Sequence, residues 1–74
     1  MSGLGSAAGM MAFSDRRLKR NIERTGETPA GVPWYRFEYI WGEKSQGVMA
    51  DEAPEDAVSI HPSGYAMVDY SRIK

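Results

Sequence analysis

The sequence predicts an α+β fold dominated by β-structure: a small, mostly antiparallel sheet with one or two short helical turns and an extended N-terminal arm. The first observation behind this is the segment Trp34 to Trp41, WYRFEYIW, where aromatic residues recur at every second position as in a strand. The second is the turn sequence His61-Pro62-Ser63-Gly64 between two short apolar segments, a pattern typical of a β-hairpin. The third is the Gly/Ser/Ala-rich opening of the chain, which is typical of a flexible extended segment.

The other elements follow in chain order. Ser14, Asp15 and the apolar pair Leu18 and Ile22 favour a helical turn that gives way to a strand, with an irregular turn followed by a strand over 18–23 as the alternative. Two prolines and two glycines within 25–33 indicate a loop. Beyond Trp41, the sequence predicts a turn at 42–46, a strand at 47–50, a helical turn at 51–57, and strands at 58–60 and 65–70.

Within the aromatic strand, one face carries Tyr35, Phe37, Tyr39 and Trp41. We expect this face to be core, because alternate residues of a strand point to the same side of the sheet. Trp34 and Trp41 flank the strand and are candidate interface anchors, since tryptophan is enriched at binding hot spots.

Length and composition limit what the chain does alone. A chain of 74 residues buries only roughly 60% of its unfolded surface, so its core is marginal. The chain has no cysteine and one histidine, which predicts neither a disulfide nor a metal site, and we expect no cofactor. The sequence therefore predicts association, as a homo-oligomer or with a larger assembly.

The sequence divides into an arm, residues 1–13, and a module, residues 14–74. The arm ends in an apolar group formed by Met10, Met11 and Phe13, which we expect to dock onto a neighbouring protein. The arm lacks a positively charged start and its apolar run is broken by glycine, so the sequence predicts a protein that is not exported. No run approaches the ~20 apolar residues of a membrane span.

Charge is unevenly distributed along the chain. Residues 15–24 carry five cationic side chains, Arg16 and Arg17 among them, against two acidic ones, whereas 51–56 carry four acidic side chains. The two segments are either separate solvated faces or complementary partners, within the chain or across an interface. The net charge of −1 gives no electrostatic basis for nucleic-acid binding.

Four motifs occur in order along the module. Ser14-Asp15 opens SDRRLKRNI, Tyr35-Arg36-Phe37-Glu38-Tyr39 follows, GVMADE spans 47–52, and YAMVDYSRI spans 65–73. Together they resemble the intramolecular chaperone, auto-processing domain at the C-terminus of phage tailspikes, tail fibres and endosialidases. Their order over 14–73 makes the resemblance specific, although each motif alone is weak.

The resemblance implies a virion protein that is assembled in the host cytoplasm among other virion proteins, as a trimer or another symmetric oligomer. In that family a serine–lysine dyad cuts the chain beside the serine, which corresponds here to Ser14 as nucleophile and Lys19 as base. Only 13 residues precede Ser14 and four follow Tyr70, so we expect no fibre to fold or release and no trimer-forming helices at the end of the chain.

Two roles for Ser14 and Lys19 therefore remain open. In one, they form an active dyad, which requires the pKa of Lys19 to fall by about three units from ~10.4. In the other, Ser14 caps a helical turn and Lys19 is a solvated cation. The function expected first is a structural protein of a tailed phage or phage-like particle. The alternatives are a self-cleaving endopeptidase and an assembly chaperone that acts in trans.

Overall fold

The computed structural model describes residues 11–73. Within these residues, six strands form two three-stranded antiparallel sheets. The strands are β1 (Met11–Phe13), β2 (Lys19–Glu27), β3 (Pro33–Tyr39), β4 (Lys44–Gly47), β5 (Val58–Ile60) and β6 (Ala66–Asp69). Single 3-10 turns occupy Arg16–Leu18, Ala50–Glu52, Glu55–Ala57 and Tyr70–Arg72. The predicted β-dominant fold class is confirmed, and so are the helical turn leading into a strand and the hairpin between β5 and β6.

The strands form two sheets, although the sequence predicted a single one. One sheet has the order β2-β3-β4 and the other has the order β1-β6-β5. The separation arises because the end of the arm pairs with β6: Met11 lies opposite Asp69, and Phe13 lies opposite Met67. With β1 on one side and β5 on the other, β6 has no edge left for β3 or β4.

The predicted strand at 47–50 is wrong in position. β4 ends at Gly47, and the next two residues, Val48 and Met49, are completely buried. Strand pairing stops there because side chains satisfy the backbone of Val48: its N–H donates to Tyr70 Oη, and its carbonyl accepts from Lys19 Nζ. The apolar run is thus core between the sheets and not a paired strand.

The core lies where the two sheets meet. Its buried members are Val32, Val48, Ala57 and Val68, and the residues packed around them include Trp34, Val58, Tyr70 and Ile73. On β3, Phe37 is buried as predicted. The prediction is wrong for Trp41, which follows the strand and is 55% exposed. Tyr35 and Tyr39 are half-buried. Their hydroxyl groups reach polar partners at the edge of the core, which places Ser14 and its neighbours beside β3.

Among the strands of residues 11–73, β2 is the longest and lies at the edge of its sheet. Its pairing with β3 is interrupted by register shifts between Arg20 and Glu23 and between Arg24 and Gly26. Asn21, in the first interruption, has a φ of 53°, a left-handed conformation that asparagine tolerates better than most residues. The strand is consequently irregular and mostly exposed.

Candidate functional site

Ser14 lies at the junction between the two sheets, directly after β1. Its backbone N–H donates to the Ala66 carbonyl at 3.1 Å, and its own carbonyl accepts from the Ala50 N–H at 2.8 Å. Its side chain is completely buried, and Oγ lies 3.2 Å from Tyr70 Oη. Both peptide groups that flank Ser14 are therefore held by elements from the second half of the chain.

Asp15, and not Ser14, caps the first 3-10 turn. One carboxylate oxygen accepts from the Arg17 N–H at 2.9 Å and from Arg17 Nε at 3.0 Å. The other accepts from Arg17 Nη2 at 2.8 Å and from the Ala66 N–H at 3.0 Å. These hydrogen bonds, led by the Arg17 side chain, hold the pKa of Asp15 well below its ordinary value. The capping role considered for Ser14 is therefore wrong, because its hydroxyl faces Tyr70.

Lys19 is a buried amine. Only 6% of the residue is exposed, Nζ donates to the Val48 carbonyl at 2.8 Å, and it lies 4.0 Å from the centre of the Phe37 ring. Burial, assisted by the nearby charge of Arg16, lowers the pKa of Lys19 to about 7, although Asp15 and Asp51 act in the opposite direction. The alternative of a solvated surface cation is wrong, and the amine has the pKa required of a general base.

Tyr70 and Val48 connect the two candidate catalytic residues. The Tyr70 hydroxyl lies against Ser14 Oγ and accepts from the Val48 N–H at 3.0 Å, and the carbonyl of the same Val48 accepts from Lys19. Ser14 and Lys19 share this buried network without being hydrogen-bonded to each other. Sequence reasoning missed Tyr70, although it lies within the fourth motif.

The carbonyl of Phe13, which precedes Ser14, is held by a side chain from the other sheet. Tyr39 Oη donates to the Phe13 carbonyl oxygen at 2.7 Å. The Tyr39 ring stacks on Trp41 with centroids 4.5 Å apart and meets the Phe37 ring edge-on at 5.1 Å. Sequence reasoning assigned Tyr39 to the core, and alternation alone gives no signal for this hydroxyl contact.

Three of the interface candidates line one groove. Met11, Phe13 and Trp41 border an open volume of about 290 Å³, together with Ala12, Tyr39, Glu43 and Met67. Trp41 is 55% exposed and Met11 is 38% exposed, so the groove presents apolar surface. We call it the Trp41 groove. Met10 lies outside the described residues.

The other interface candidates contact residues within the chain. Arg16 pairs with Asp51 at 3.2 Å and with Glu52 at 3.6 Å, which confirms that the basic segment meets the acidic one. Arg17 is held by Asp15, and its guanidinium lies 4.9 Å from the centre of the Tyr65 ring. Trp34 is half-buried and meets the Tyr70 ring edge-on at 6.2 Å.

Over residues 11–73, no group of three or more histidine or acidic side chains is arranged to hold a metal ion. The same part of the chain has no helix with the length and apolarity to cross a membrane.

Comparison with known proteins gives no relative for this chain: no family model, no curated protein and no solved structure matches it.

Proposed function

We propose that the chain is a structural protein of a tailed phage or phage-like particle, located in the tail, fibre or adsorption apparatus. Its module docks onto other virion proteins and onto further copies of itself around a symmetry axis. The arm and the Trp41 groove provide the docking surface.

The supporting observation is that the four motifs meet at one point. Ser14 comes from the first motif, Tyr39 from the second, Val48 from the third and Tyr70 from the fourth. Hydrogen bonds connect Ser14 to Tyr70 and Tyr70 to Val48, and Tyr39 bonds to the carbonyl that adjoins Ser14. The motifs that resemble the phage domain are thus joined by one set of hydrogen bonds.

The Trp41 groove supports docking independently of the motifs. Three residues assigned to an interface from sequence border the same groove. Trp41 is large and more than half exposed, and a tryptophan that becomes buried in a partner commonly contributes a large share of the binding energy.

The test compares two exposed apolar side chains. We expect Trp41→Ser to lower the amount of the chain in purified particles about 30-fold, because truncating a hot-spot residue costs about 2 kcal/mol of binding free energy. Ile60→Ser is the matched control, because Ile60 is also exposed but is not among the residues that line the groove. Particles from the genetic element that encodes the chain would be quantified by mass spectrometry, after thermal unfolding shows both variants folded. Absence of the wild-type chain from particles would contradict the structural role. Equal incorporation of both variants would exclude the Trp41 groove as a docking surface.

Self-cleavage of the Phe13–Ser14 bond is a second candidate function, favoured by the buried Lys19 amine with its pKa of about 7. In this reaction Ser14 Oγ attacks the Phe13 carbonyl carbon, and Lys19 takes up the hydroxyl proton. The C–N bond breaks as the Ser14 nitrogen gains a proton, which leaves an ester. Water then hydrolyses the ester to a Phe13 carboxylate and restores the Ser14 hydroxyl. The transfer to Lys19 requires Nζ to exchange the Val48 carbonyl for Ser14 Oγ.

Incubation of the purified full chain at pH 6 to 9 tests this reaction. We expect residues 1–13 to separate from 14–74, at a rate that rises with pH and levels off above about 7 as Lys19 loses its proton. Ser14→Ala and Lys19→Met should abolish cleavage, while Ser71→Ala and Lys44→Met, at exposed positions, should not. The masses must be measured under denaturing conditions, because β1 pairs with β6 and can retain the cut peptide. An intact chain at every pH would exclude self-cleavage.

A further inference from the structure

Both polar groups of the peptide bond between Phe13 and Ser14, the N–H and the carbonyl, are hydrogen-bonded. Its N–H donates to the Ala66 carbonyl at 3.1 Å, and its carbonyl oxygen accepts from Tyr39 Oη at 2.7 Å. The first contact continues the pairing of β1 with β6. The second is a side-chain contact from β3, a strand of the other sheet, and secondary structure does not require it.

The direction of the Tyr39 hydrogen bond is fixed by chemistry. A peptide carbonyl has no proton, so the phenol must donate. Burial, with a smaller effect of Tyr70 and Glu43, raises the pKa of Tyr39 to about 12, and the phenol keeps its proton at neutral pH. The stacked Trp41 and the edge-on Phe37 limit rotation of the ring, so the donor is already oriented.

The carbonyl that Tyr39 contacts is the one that gains negative charge in the self-cleavage proposed above. When Ser14 Oγ bonds to the Phe13 carbon, the electron pair of the carbonyl moves onto its oxygen. A donor already within hydrogen-bond distance of that oxygen stabilises the charge without reorganisation, and removing one such donor typically costs about 100- to 1,000-fold in rate.

We infer that Tyr39 is a catalytic residue that donates a hydrogen bond to the oxyanion formed on Phe13, and that this bond selects Phe13–Ser14 as the site of cleavage. The inference rests on the proposed self-cleavage. It assigns three separate tasks: Ser14 supplies the nucleophile, Lys19 accepts its proton, and Tyr39 holds the charged oxygen.

The test replaces Tyr39 with phenylalanine, which removes one oxygen atom and keeps the ring. We expect cleavage of Tyr39→Phe to be about 100- to 1,000-fold slower at every pH, with the pH midpoint near 7 unchanged, because Lys19 remains the titrating group. Tyr35→Phe is the matched control: it lies on the same strand and its hydroxyl donates to Glu52 at 2.8 Å, away from the Phe13 carbonyl. A purely structural role for Tyr39 would lower the thermal midpoint without this uniform loss of rate.

A second measurement addresses the contact itself. The chain contains two phenylalanines, so labelling phenylalanine with carbonyl ¹³C marks the carbonyls of Phe13 and Phe37 alone. In the uncleavable Ser14→Ala background, Tyr39→Phe should move one of the two resonances upfield and leave the other in place. A wild-type chain that never cleaves would overturn the self-cleavage and this inference together. A wild-type chain that cleaves no faster than Tyr39→Phe, or two unchanged resonances, would overturn the inference alone.

Discussion

Gly47→Ala is expected to lower the free energy of unfolding by about 3 kcal/mol, a large share of the stability of so small a chain. A Cβ on Gly47 would collide with the Tyr70 hydroxyl and lie 3.2 Å from Cζ of that ring. The hydroxyl must then leave its position between Ser14 Oγ and the Val48 N–H. The loss combines overpacking with a buried N–H left without an acceptor. Denaturant unfolding followed by the fluorescence of the two tryptophans measures it.

When it is combined with Gly47→Ala, Tyr70→Phe is expected to remove part of the destabilisation that Gly47→Ala causes. Alone, it destabilises the protein by about 1 to 3 kcal/mol, because the Val48 N–H loses its acceptor. In the double variant the colliding oxygen is gone. The double variant should therefore lose less free energy of unfolding than the sum of the losses in the two single variants, by at least about 1 kcal/mol. Gly26→Ala is the control, because a Cβ there would meet nothing within 4 Å. Additive losses in the double variant would show that Gly47 does not make room for the Tyr70 hydroxyl.

Raising the pH from 7 to 9 is expected to stabilise the protein by about 2 kcal/mol through Lys19. In the folded chain its pKa is about 7, below the ordinary 10.5. Between these values the unfolded chain binds the proton and the folded chain does not, so stability rises with pH in this window. Below pH 7 both states are protonated and the full cost of burying the charge remains. Tyr39, with its pKa raised to about 12, acts in the opposite direction only above pH ~10.

Lys19→Met isolates this effect. The variant loses the hydrogen bond to the Val48 carbonyl at every pH. In addition, its free energy of unfolding should not increase between pH 7 and pH 9. Lys44→Met removes an exposed lysine and should retain the increase. Unfolding midpoints at constant ionic strength provide the comparison. If the unfolding midpoint depends on pH equally in the wild-type chain and in Lys19→Met, the Lys19 amine is charged in the folded state.

Local pattern was sufficient for much of the fold. Alternation in WYRFEYIW predicted β3, and the HPSG turn predicted the β5–β6 hairpin. The charge segments indicated contact between the basic and acidic segments as one of two alternatives, and the pair Arg16–Asp51 shows that alternative within the chain. The division into two sheets was not predictable in this way, because it depends on Met11–Phe13 pairing with Asp69–Met67. That pairing joins the two ends of the chain, and three residues carry too little pattern to specify a partner.

The site was only partly predictable, for a related reason. The family resemblance indicated Ser14 and Lys19, yet composition placed Lys19 in a basic segment of the kind that is usually solvated. Its burial depends on Phe37 and on the Val48 carbonyl, both distant in sequence. Tyr70 lies 56 residues from Ser14, and Tyr39 reaches Phe13 from 26 residues away. Side-chain hydroxyls that bond to remote backbone leave no periodic signal.

The outer edge of β2 also has a consequence for how the protein behaves when many copies are present. A long, regular edge strand is a template on which identical chains add to one another and form fibrils. Here the two register shifts and the exposed charges along the strand deprive an incoming chain of a continuous ladder. We therefore expect β2 to be a poor template for the addition of further copies of the chain.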